Sequence, residues 1–334
     1  MDKKLTYLVC PLNWGLGHAS RMIPIVYDLL EKGYEVILGG DGDALKLISQ
    51  EFPTLKQIKI PDIKVSFKYR WMTLNLLLLI PKIIFSAVRE HKLIKKIQKV
   101  NSINVIISDN RYGLWNKDVK SIFVSHQIMI KLPKPFKSFE YFTHFIIKKA
   151  ILQFNECWIP DYENPNKSIS GDLSHKYTPP SNSKYIGPLS RYTNVEASTI
   201  DKSYDIVALL SGPEPQRTQL ERKLIKLIQS TKYRAMVIQG KPSSNNKSIL
   251  INNIEVTPHL PAGVIKSLIQ QSKFVLCRSG YTSIMDITLL NSKALIIPTP
   301  KQTEQEYLAK HLNSSFHSIS QKKINLETLK AFDL

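Results

Sequence analysis

Residues 5–21 read LTYLVCPLNWGLGHASR. The apolar run Leu5 to Cys10 leads through a glycine-containing turn into Ala19 to Glu31, where apolar residues recur at three- and four-residue spacing. That spacing predicts a helix with one buried face. Gly33 is a natural end for the helix, and Tyr34 to Leu38 is a second apolar run. Apolar strands around an amphipathic helix are typical of a parallel sheet, so the stretch predicts a right-handed βαβ unit.

Further strand and helix patterns continue through both halves of the chain. Those in the first half are Val105 to Ser108 and Ser121 to Val124, which end in Asp109-Asn110 and His126-Gln127. Those in the second half are strands Tyr204 to Leu210, Ala235 to Gln239, Phe274 to Cys277 and Ala294 to Ile297, and helices Gln219 to Gln229, Val264 to Gln270 and Thr282 to Leu290. The alternation predicts an α/β protein with two Rossmann-like domains, each a doubly wound parallel sheet, facing a cleft.

The predicted domain boundaries follow from composition. Between Asp161 and Arg191 the composition changes to Pro, Ser, Asn, Lys and Gly, with Pro179-Pro180 and Gly187-Pro188 as breakers. Such a stretch is typical of a linker. We therefore expect an amino-terminal, acceptor-side domain at 1–165, a linker at 166–200 and a carboxyl-terminal, donor-binding domain at 201–334.

Charge and cysteine content restrict the class of protein. The 334 residues carry a formal net charge of +19, which favours acidic partners such as nucleotides, nucleic acid or an anionic membrane. Cys10, Cys157 and Cys277 are too few and too scattered for a disulfide scaffold, so we expect buried thiols in a reducing compartment. The N-terminus lacks a signal-peptide pattern. These features predict a cytoplasmic protein.

The stretch Met72 to Lys99 is apolar first and basic afterwards. Pro81 and Lys82 interrupt its apolar part, which is shorter than the roughly 20 residues that a membrane span needs. We therefore expect a buried or interfacial helix. The lysines that follow form either a solvated face or a peripheral contact with the anionic inner face of the cell membrane.

The first candidate site is the turn Asn13-Trp14-Gly15-Leu16-Gly17-His18. Gly15 and Gly17 permit close approach of a ligand to the backbone, and the helix behind them directs N–H groups at an anion. His18 adds an imidazole that can accept a proton from an acceptor hydroxyl. A tight turn braced by its own histidine is the alternative.

Turns in the second half carry residues suited to a nucleotide diphosphate. Each follows a predicted strand and opens a helix, where free N–H groups attract phosphate. Asp286 lies four residues after Thr282, on the same helical face, and its carboxylate can accept two bonds from a ribose diol. Ordinary capped turns remain the alternative. The candidate residues are Ser211, Gly212, Arg278, Ser279, Gly280, Thr282, Asp286, Gln302 and Gln305.

Together these motifs resemble glycosyltransferase family 28 over nearly the whole chain. Gly15-Leu16-Gly17-His18 resembles the family's amino-terminal loop, Ser211-Gly212 its second phosphate loop, and Arg278-Ser279-Gly280 with Asp286 its donor signature. Gln302-Thr303-Glu304-Gln305 resembles the stretch that holds the donor. Two features depart from the family: Asp286 replaces a Glu, and Ser-Gly-Pro-Glu-Pro replaces a more glycine-rich loop.

The resemblance implies a GT-B fold and an inverting, metal-independent transfer of a hexosyl group from a UDP-sugar, with N-acetylglucosamine as the first candidate. It implies no cofactor beyond that co-substrate. The donor would bind the carboxyl-terminal domain, with Leu260 at the position whose backbone reads uracil. The glycan or lipid-linked acceptor would bind the amino-terminal domain, with His18 as the base. The resemblance places Gly15, Gly17, His126 and Gln127 on the acceptor side. Asn13 of the same turn and Asp109 at the end of its predicted strand are expected there from their positions in the sequence.

Two other classes stay open from the sequence. A βαβ unit with Gly15-x-Gly17 also resembles the fingerprint of a nicotinamide-dependent oxidoreductase, although Ser20 replaces its third glycine and His18 crowds the pyrophosphate. A non-catalytic nucleotide or nucleic-acid binder would use the basic charge. Because no aromatic-basic RNA motif occurs and the lysines are dispersed, we expect no nucleic-acid partner. Asp41-Gly42-Asp43 resembles a metal-binding Asp-x-Asp, but we interpret Asp43 as the N-cap of a helix that begins at Ala44.

Overall fold

A computed structural model describes residues 4–62, 72–242, 244 and 247–333, without the side chains of residues 72–80, Lys134 and Asp333. The chain divides into two compact units, the first comprising residues 1–14 and 18–189 and the second residues 15–17 and 190–334. Each unit holds one seven-stranded sheet. The predicted α/β class with two largely parallel sheets is confirmed.

The first sheet has the strand order β3-β2-β1-β4-β5-β6-β7, and all of its pairings are parallel. Its strands are β1 (Thr6–Cys10), β2 (Glu35–Gly40), β3 (Lys56–Lys59), β4 (Val105–Asp109), β5 (Lys120–Val124), β6 (Glu156–Ile159) and β7 (Ser183–Tyr185). Its helices are α1 (Leu16–Glu31), α2 (Gly42–Glu51), α3 (Met72–Asn101), α4 (Glu140–Ile151) and α5 (Asp172–His175). A 3-10 turn, Lys134–Phe139, precedes α4, and another spans Pro165–Lys167.

Helices cover both faces of the first sheet because alternate strand residues point to opposite sides. On one face α1 and α2 bury Val26 and Ile48 against Val9 and Ile107. On the other face α3 and α4 pack against the strands. Gly33, two residues after the end of α1, has φ +77°, a left-handed conformation that favours glycine.

The second sheet has the order β10-β11-β9-β8-β12-β13-β14, in which only the β10–β11 pair is antiparallel. Its strands are β8 (Ile206–Leu209), β9 (Ala235–Ile238), β10 (Ile249–Ile251), β11 (Ile254–Thr257), β12 (Phe274–Cys277), β13 (Ala294–Ile296) and β14 (His317–Ser318). Its helices are α6 (Gln216–Gln229), α7 (Ala262–Gln271), α8 (Tyr281–Leu289), α9 (Thr303–His311) and α10 (Leu326–Asp333). Leu224 of α6 and Leu329 of α10 pack on one face, and Ile265 of α7 and Ile287 of α8 on the other.

Part of the stretch that composition marks as a linker is folded into the first unit. Residues 166–200 contain α5 and β7, and Cys157 of β6 pairs with Ser183 of β7. The units divide between Leu189 and Ser190. A three-residue strand that reads Ser-Lys-Tyr has no apolar alternation, which is why its composition resembles that of a loop.

Three other expectations concern single features. Cys10, Cys157 and Cys277 are free and buried, as predicted, and burial raises the pKa of each thiol to about 12. The assignment of Asp43 as an N-cap is wrong, because α2 begins at Gly42 and the carboxylate of Asp41 accepts the Gly42 N–H at 2.9 Å. Within the described residues, no helix is both long and apolar enough to cross a bilayer.

Candidate active site

The loops with candidate residues lie at the switch point of each sheet. In the first sheet the strand order reverses between β1 and β4, and in the second between β8 and β12. Ligands of open α/β sheets bind outside the carboxyl ends of the strands at such points. The turn after β1 and Asp109 at the end of β4 flank the first switch point. The loops after β8 and β12, which carry Ser211-Gly212 and Ser279-Gly280, flank the second.

The first switch point carries a cluster of charged and titratable side chains that we call the histidine cluster. It consists of His18 and Arg21 on α1, Asp109 at the end of β4, and His126 and Gln127 after β5. His18 and Arg21 are three residues apart and therefore lie on the same face of the helix. The sequence predicted four of these five residues for the acceptor side or for catalysis, and the structure brings all four together.

Arg21 is the central member of this cluster, and no role was predicted for it. Only 1% of its surface is exposed. Its Nε donates to Asp109 Oδ2 at 2.9 Å, and its Nη2 donates to Asp109 Oδ1, so the pair is bidentate. Its Nη1 lies 3.0 Å from His126 Nδ1, which must accept because a guanidinium only donates. The available sequence signal was a basic residue one turn after His18, directly before the apolar run Met22 to Val26.

Asp109 is fully buried. Burial alone would raise the pKa of this carboxyl, but Arg21 and His18 more than offset that effect and hold the pKa below its ordinary value. Asp109 is therefore a carboxylate whose charge is balanced inside the protein. It presents a fixed negative charge to the imidazole of His18.

His18 lies in the first turn of α1 and not in a loop, contrary to the sequence interpretation, because α1 begins at Leu16. Its side chain is 20% exposed, and Nδ1 lies 3.2 Å from Asp109 Oδ2 and 2.8 Å from Arg21 Nη2. Its Nε2 has no hydrogen-bond partner among the residues that the structure describes. If Nδ1 carries the proton toward Asp109, Nε2 is a base. If Nδ1 accepts from Arg21, Nε2 is a donor.

The remaining acceptor-side residues are close to this cluster in sequence but differ in role. The half-buried Gln127 has its Nε2 3.3 Å from His126 Nε2. The backbone N–H of Asn13 donates to Asp62 Oδ2 at 2.7 Å, and its Oδ1 accepts the Ala44 N–H of α2 at 3.2 Å. Asn13 thus holds its own loop and the first turn of α2. Gly15 is exposed just before α1, and Gly17 lies in its first turn.

In the second unit, the N-terminus of α8 follows the Ser279-Gly280 loop. Its N-cap is Gly280, which has no side chain that could cap the helix. Gln305 Nε2 would lie 3.8 Å from a Cβ placed on Gly280. The Gln305 Oε1 accepts the Thr299 N–H at 2.8 Å, which fixes the amide. A fixed amide beside a helix N-terminus suits phosphate oxygens.

The loop after β8 offers bare backbone next to this helix. Gly212 is exposed at φ +101°, a conformation that only glycine adopts readily, and a Cβ at this position would contact nothing within 4 Å. Ser211 before it is half-buried. Leu209 of β8 pairs with Cys277 of β12, so the two glycine loops leave neighbouring strands.

Two predicted donor residues make contacts that organise the loops. Arg278 is fully buried, and its guanidinium donates to the backbone carbonyls of Ile297, Pro298 and Gln216. Burial lowers its pKa to about 10. The Ser279 hydroxyl donates to the Gln305 carbonyl at 2.9 Å. These bonds tie together the starts of α6, α8 and α9.

The other predicted donor residues surround the same edge of the sheet. Thr282 is buried in the first turn of α8. Gln302 is the N-cap residue of α9 and makes no side-chain capping bond. Leu260 follows β11 by three residues and packs against the core beneath α7.

Asp286 is buried within α8 and is held by neighbouring groups. Its Oδ1 accepts the Ser190 hydroxyl at 2.5 Å, and the backbone N–H of Arg191 donates to the carboxylate. Burial raises the pKa of Asp286 to about 6, despite the opposing effects of Arg191 and Ser190. Ionisation is therefore harder in the folded than in the unfolded chain.

Asp286→Asn is expected to change how stability depends on pH. Because the folded-state pKa is the higher one, the contribution of Asp286 is fully present below pH ~4 and is lost as the pH rises through about 6. At about 1.4 kcal/mol per pKa unit, the wild type should lose about 3 kcal/mol from this group between pH 4 and 7. Other carboxyls with lowered pKa values, such as Glu156, gain stability over the same range, so the test is a difference between variants. In urea unfolding, Asp286→Asn should gain about 3 kcal/mol relative to the wild type between pH 4 and 7, and a control, Asp28→Asn, should not. An unchanged pH dependence in Asp286→Asn would contradict the assignment.

Comparison with known proteins identifies the second unit. Residues 203–331 match the model of the glycosyltransferase family 28 C-terminal domain. This stretch contains both glycine loops of the second switch point. No curated protein sequence is similar enough to this chain to count as a match.

Solved structures show which fold the whole chain shares. Spinosyn rhamnosyltransferase SpnG, complexed with thymidine diphosphate, is 12% identical, covers 98% of this chain and 91% of its own, and has a TM-score of 0.64. MurG of Acinetobacter baumannii is 11% identical over 98% of this chain and 89% of its own, with a TM-score of 0.53.

A third structure with the same architecture has a different description. It is a putative UDP-N-acetylglucosamine 2-epimerase from Listeria monocytogenes, which is 11% identical over 99% of this chain and 88% of its own, with a TM-score of 0.59. At such identities these structures show the fold alone. The resemblance to glycosyltransferase family 28 is confirmed for residues 203–331, which match the model of its C-terminal domain, and the chain has the GT-B fold.

Proposed function

We propose that this protein transfers a hexosyl group from a UDP-sugar to a glycan or lipid-linked acceptor, with inversion and without a metal ion. The family 28 match over residues 203–331 carries the proposal, and the shared GT-B fold supports sugar transfer. N-acetylglucosamine is the first candidate sugar.

We place the donor at the second switch point, in the second unit. The N–H groups at the start of α8 and the backbone of Ser211-Gly212 bind the diphosphate, and the Gln305 amide orients it. Positive helix ends stabilise the charge that develops as the bond between the anomeric carbon and the diphosphate oxygen breaks. The leaving UDP takes that electron pair, so the proposal requires no cation at this position.

We place the acceptor at the histidine cluster of the first unit. In the tautomer whose Nδ1–H donates to Asp109, the free Nε2 of His18 removes the proton of the acceptor hydroxyl. The hydroxyl oxygen then attacks the anomeric carbon from the face opposite the diphosphate, which inverts the centre. Asp109 stabilises the imidazolium that forms, and Arg21 keeps Asp109 ionised.

A panel of nucleotides tests the donor assignment. UDP and UDP-N-acetylglucosamine are expected to raise Tm, because a ligand at 100 times its Kd stabilises the folded state by about 2.7 kcal/mol. Release of UDP in the presence of acceptor, with and without EDTA, measures turnover and its independence of metal. NAD and an oligonucleotide are the controls. A Tm increase with NAD and none with any nucleotide sugar would favour the oxidoreductase.

The proposal includes a peripheral contact with an anionic membrane. On α3 the exposed residues include Lys92, Lys95 and Lys96, together with the apolar Ile84 and Phe85. The side chains of residues 72–80, which make up much of the apolar part, lie outside the described residues. An exposed surface that is both basic and apolar is suited to an anionic lipid surface.

A further inference from the structure

A second surface of the first unit, formed by the 3-10 turn Lys134–Phe139 and α4, is strongly aromatic. Phe139, Tyr141 and Phe142 are 57%, 63% and 59% exposed. Single exposed apolar side chains are common, but a contiguous group of this kind marks an interaction surface. We call it the aromatic face, and its members are Phe136, Phe139, Tyr141, Phe142, Phe145 and Ile146.

The aromatic face is not needed for the core of the first unit. The opposite side of α4 already buries Ile147 and Ile151 against Phe123 and Cys157 of the sheet. The helix is thus anchored by one face, and the aromatic side chains extend from the other.

The exposed charges that residues 130–155 contribute near the aromatic face are basic, and the nearby acid Asp172 of α5 is paired with Lys131 at 2.7 Å. Glu140 is the one acidic residue between positions 130 and 155 of the sequence. It is fully buried, where it accepts from Lys176 Nζ at 2.5 Å and from the Leu132 N–H at 3.2 Å. Lys137 and Lys149 are exposed, and Lys149 Nζ lies 4.5 Å from the centre of the Phe145 ring. The outward surface is therefore apolar and cationic.

Helix α3 covers the same face of the sheet as α4. Ile94 of α3 packs on Ile106 of β4. Ile106 pairs with Ser121 of β5, and Phe123, two residues after Ser121, points to the same side of the sheet. Phe123 in turn packs with α4. Because β4 and β5 are adjacent, the two helices form neighbouring parts of one layer.

The pattern of charges on α3 matches that on α4. Glu90 is the one acidic residue between positions 81 and 101. It is buried and paired with Arg111, at 2.9 Å between Oε1 and Nη2. Ile84, Phe85 and Val88 are exposed on this helix. Both helices thus direct their acid inward and their apolar and basic side chains outward.

We infer that the aromatic face inserts into the headgroup region of an anionic lipid bilayer, next to the basic side of α3. The inference rests on the membrane contact in the proposed function and names the insertion surface. Aromatic side chains favour the interface between water and hydrocarbon, and nearby lysines attract anionic headgroups. A second copy of the chain is a poorer occupant, because its matching face would place lysines against lysines.

Vesicle flotation tests the inference without any sugar transfer. The full chain should float with vesicles of phosphatidylcholine and phosphatidylglycerol, but not with phosphatidylcholine alone. The double variant Phe139→Ser, Phe142→Ser should bind to these vesicles with a bound fraction at least ten times smaller than that of the wild type. The matched control is Ile249→Ser with Leu250→Ser, which removes two exposed apolar side chains from β10 and should bind as the wild type does.

Two accompanying measurements separate the outcomes. Equal Tm values for both variants and the wild type show that the loss is not unfolding. The double variant Phe139→Ser, Phe142→Ser should still release UDP in the presence of a water-soluble acceptor. If the wild-type chain floats with vesicles but does not transfer sugar, the proposed sugar transfer is refuted and the inference is not. The inference would be overturned if the double variant bound vesicles as well as the wild type does. It would also be overturned if the wild type did not bind vesicles but self-associated, and the double variant did not.

Discussion

His18→Ala is expected to lower kcat for sugar transfer by a factor of about 10² to 10⁴, the range usual for loss of a general base. The imidazole is the partly exposed member of a cluster whose other charged groups, Arg21 and Asp109, are buried. Donor affinity should change little, because the proposed diphosphate site lies in the other unit. Steady-state UDP release gives kcat, and UDP titration by calorimetry gives the affinity.

His317→Ala is the control for this experiment, since His317 is an exposed histidine on β14. It should retain wild-type turnover. If His18→Ala turned over at the wild-type rate, His18 would not be the base. If it lost turnover and UDP affinity together, it would have a role in donor binding instead.

Asp109→Asn is expected to lower the free energy of unfolding by about 3 kcal/mol. Removing one partner of a buried ion pair leaves the other charge uncompensated, and Arg21 is 1% exposed with a bidentate bond to this carboxylate. Urea unfolding at neutral pH measures the loss. The further change Arg21→Met should restore much of it by removing the stranded charge.

The matched control is Asp28→Asn, which breaks the exposed pair between Asp28 and Lys32 on the surface of α1. Solvent screens such pairs, so little measurable change is expected. A loss for Asp109→Asn no greater than the control's would mean that water or a relaxed side chain compensates Arg21. If Asp109→Asn with Arg21→Met were less stable than Asp109→Asn alone, the uncompensated charge of Arg21 would not be the cause of the loss.

Apolar spacing in the sequence predicted the sheets because it reports which residues face a core. The strand at Phe274 to Cys277 was predicted with the bounds that the structure shows, and Val105 to Ser108 lacked only Asp109. Apolar spacing did not predict the parts of elements that carry no core residues. The first turn of α1 contains Gly17 and His18 and has no apolar repeat, so His18 was assigned to a loop.

The composition of the candidate site could also be predicted, but not the partners of its side chains. A turn that contains Asn13 or Arg278 looks like a ligand site, yet both residues bond backbone groups of neighbouring loops. Arg21 was overlooked for the converse reason. Its partner Asp109 is 88 residues away in sequence, and only the fold brings the two together.

The order of the first sheet affects how this protein emerges from the ribosome. β1 is the first strand made, yet one of its two neighbours, β4, begins about a hundred residues later; Thr6 and Asn104 at their starts are 98 positions apart and are hydrogen bonded. Because translation adds about 5–20 residues per second, one edge of β1 stays unpaired for roughly 5–20 s until β4 is synthesised. During that interval an apolar strand edge is exposed to other chains, so slower translation across α3 should increase the demand for chaperones.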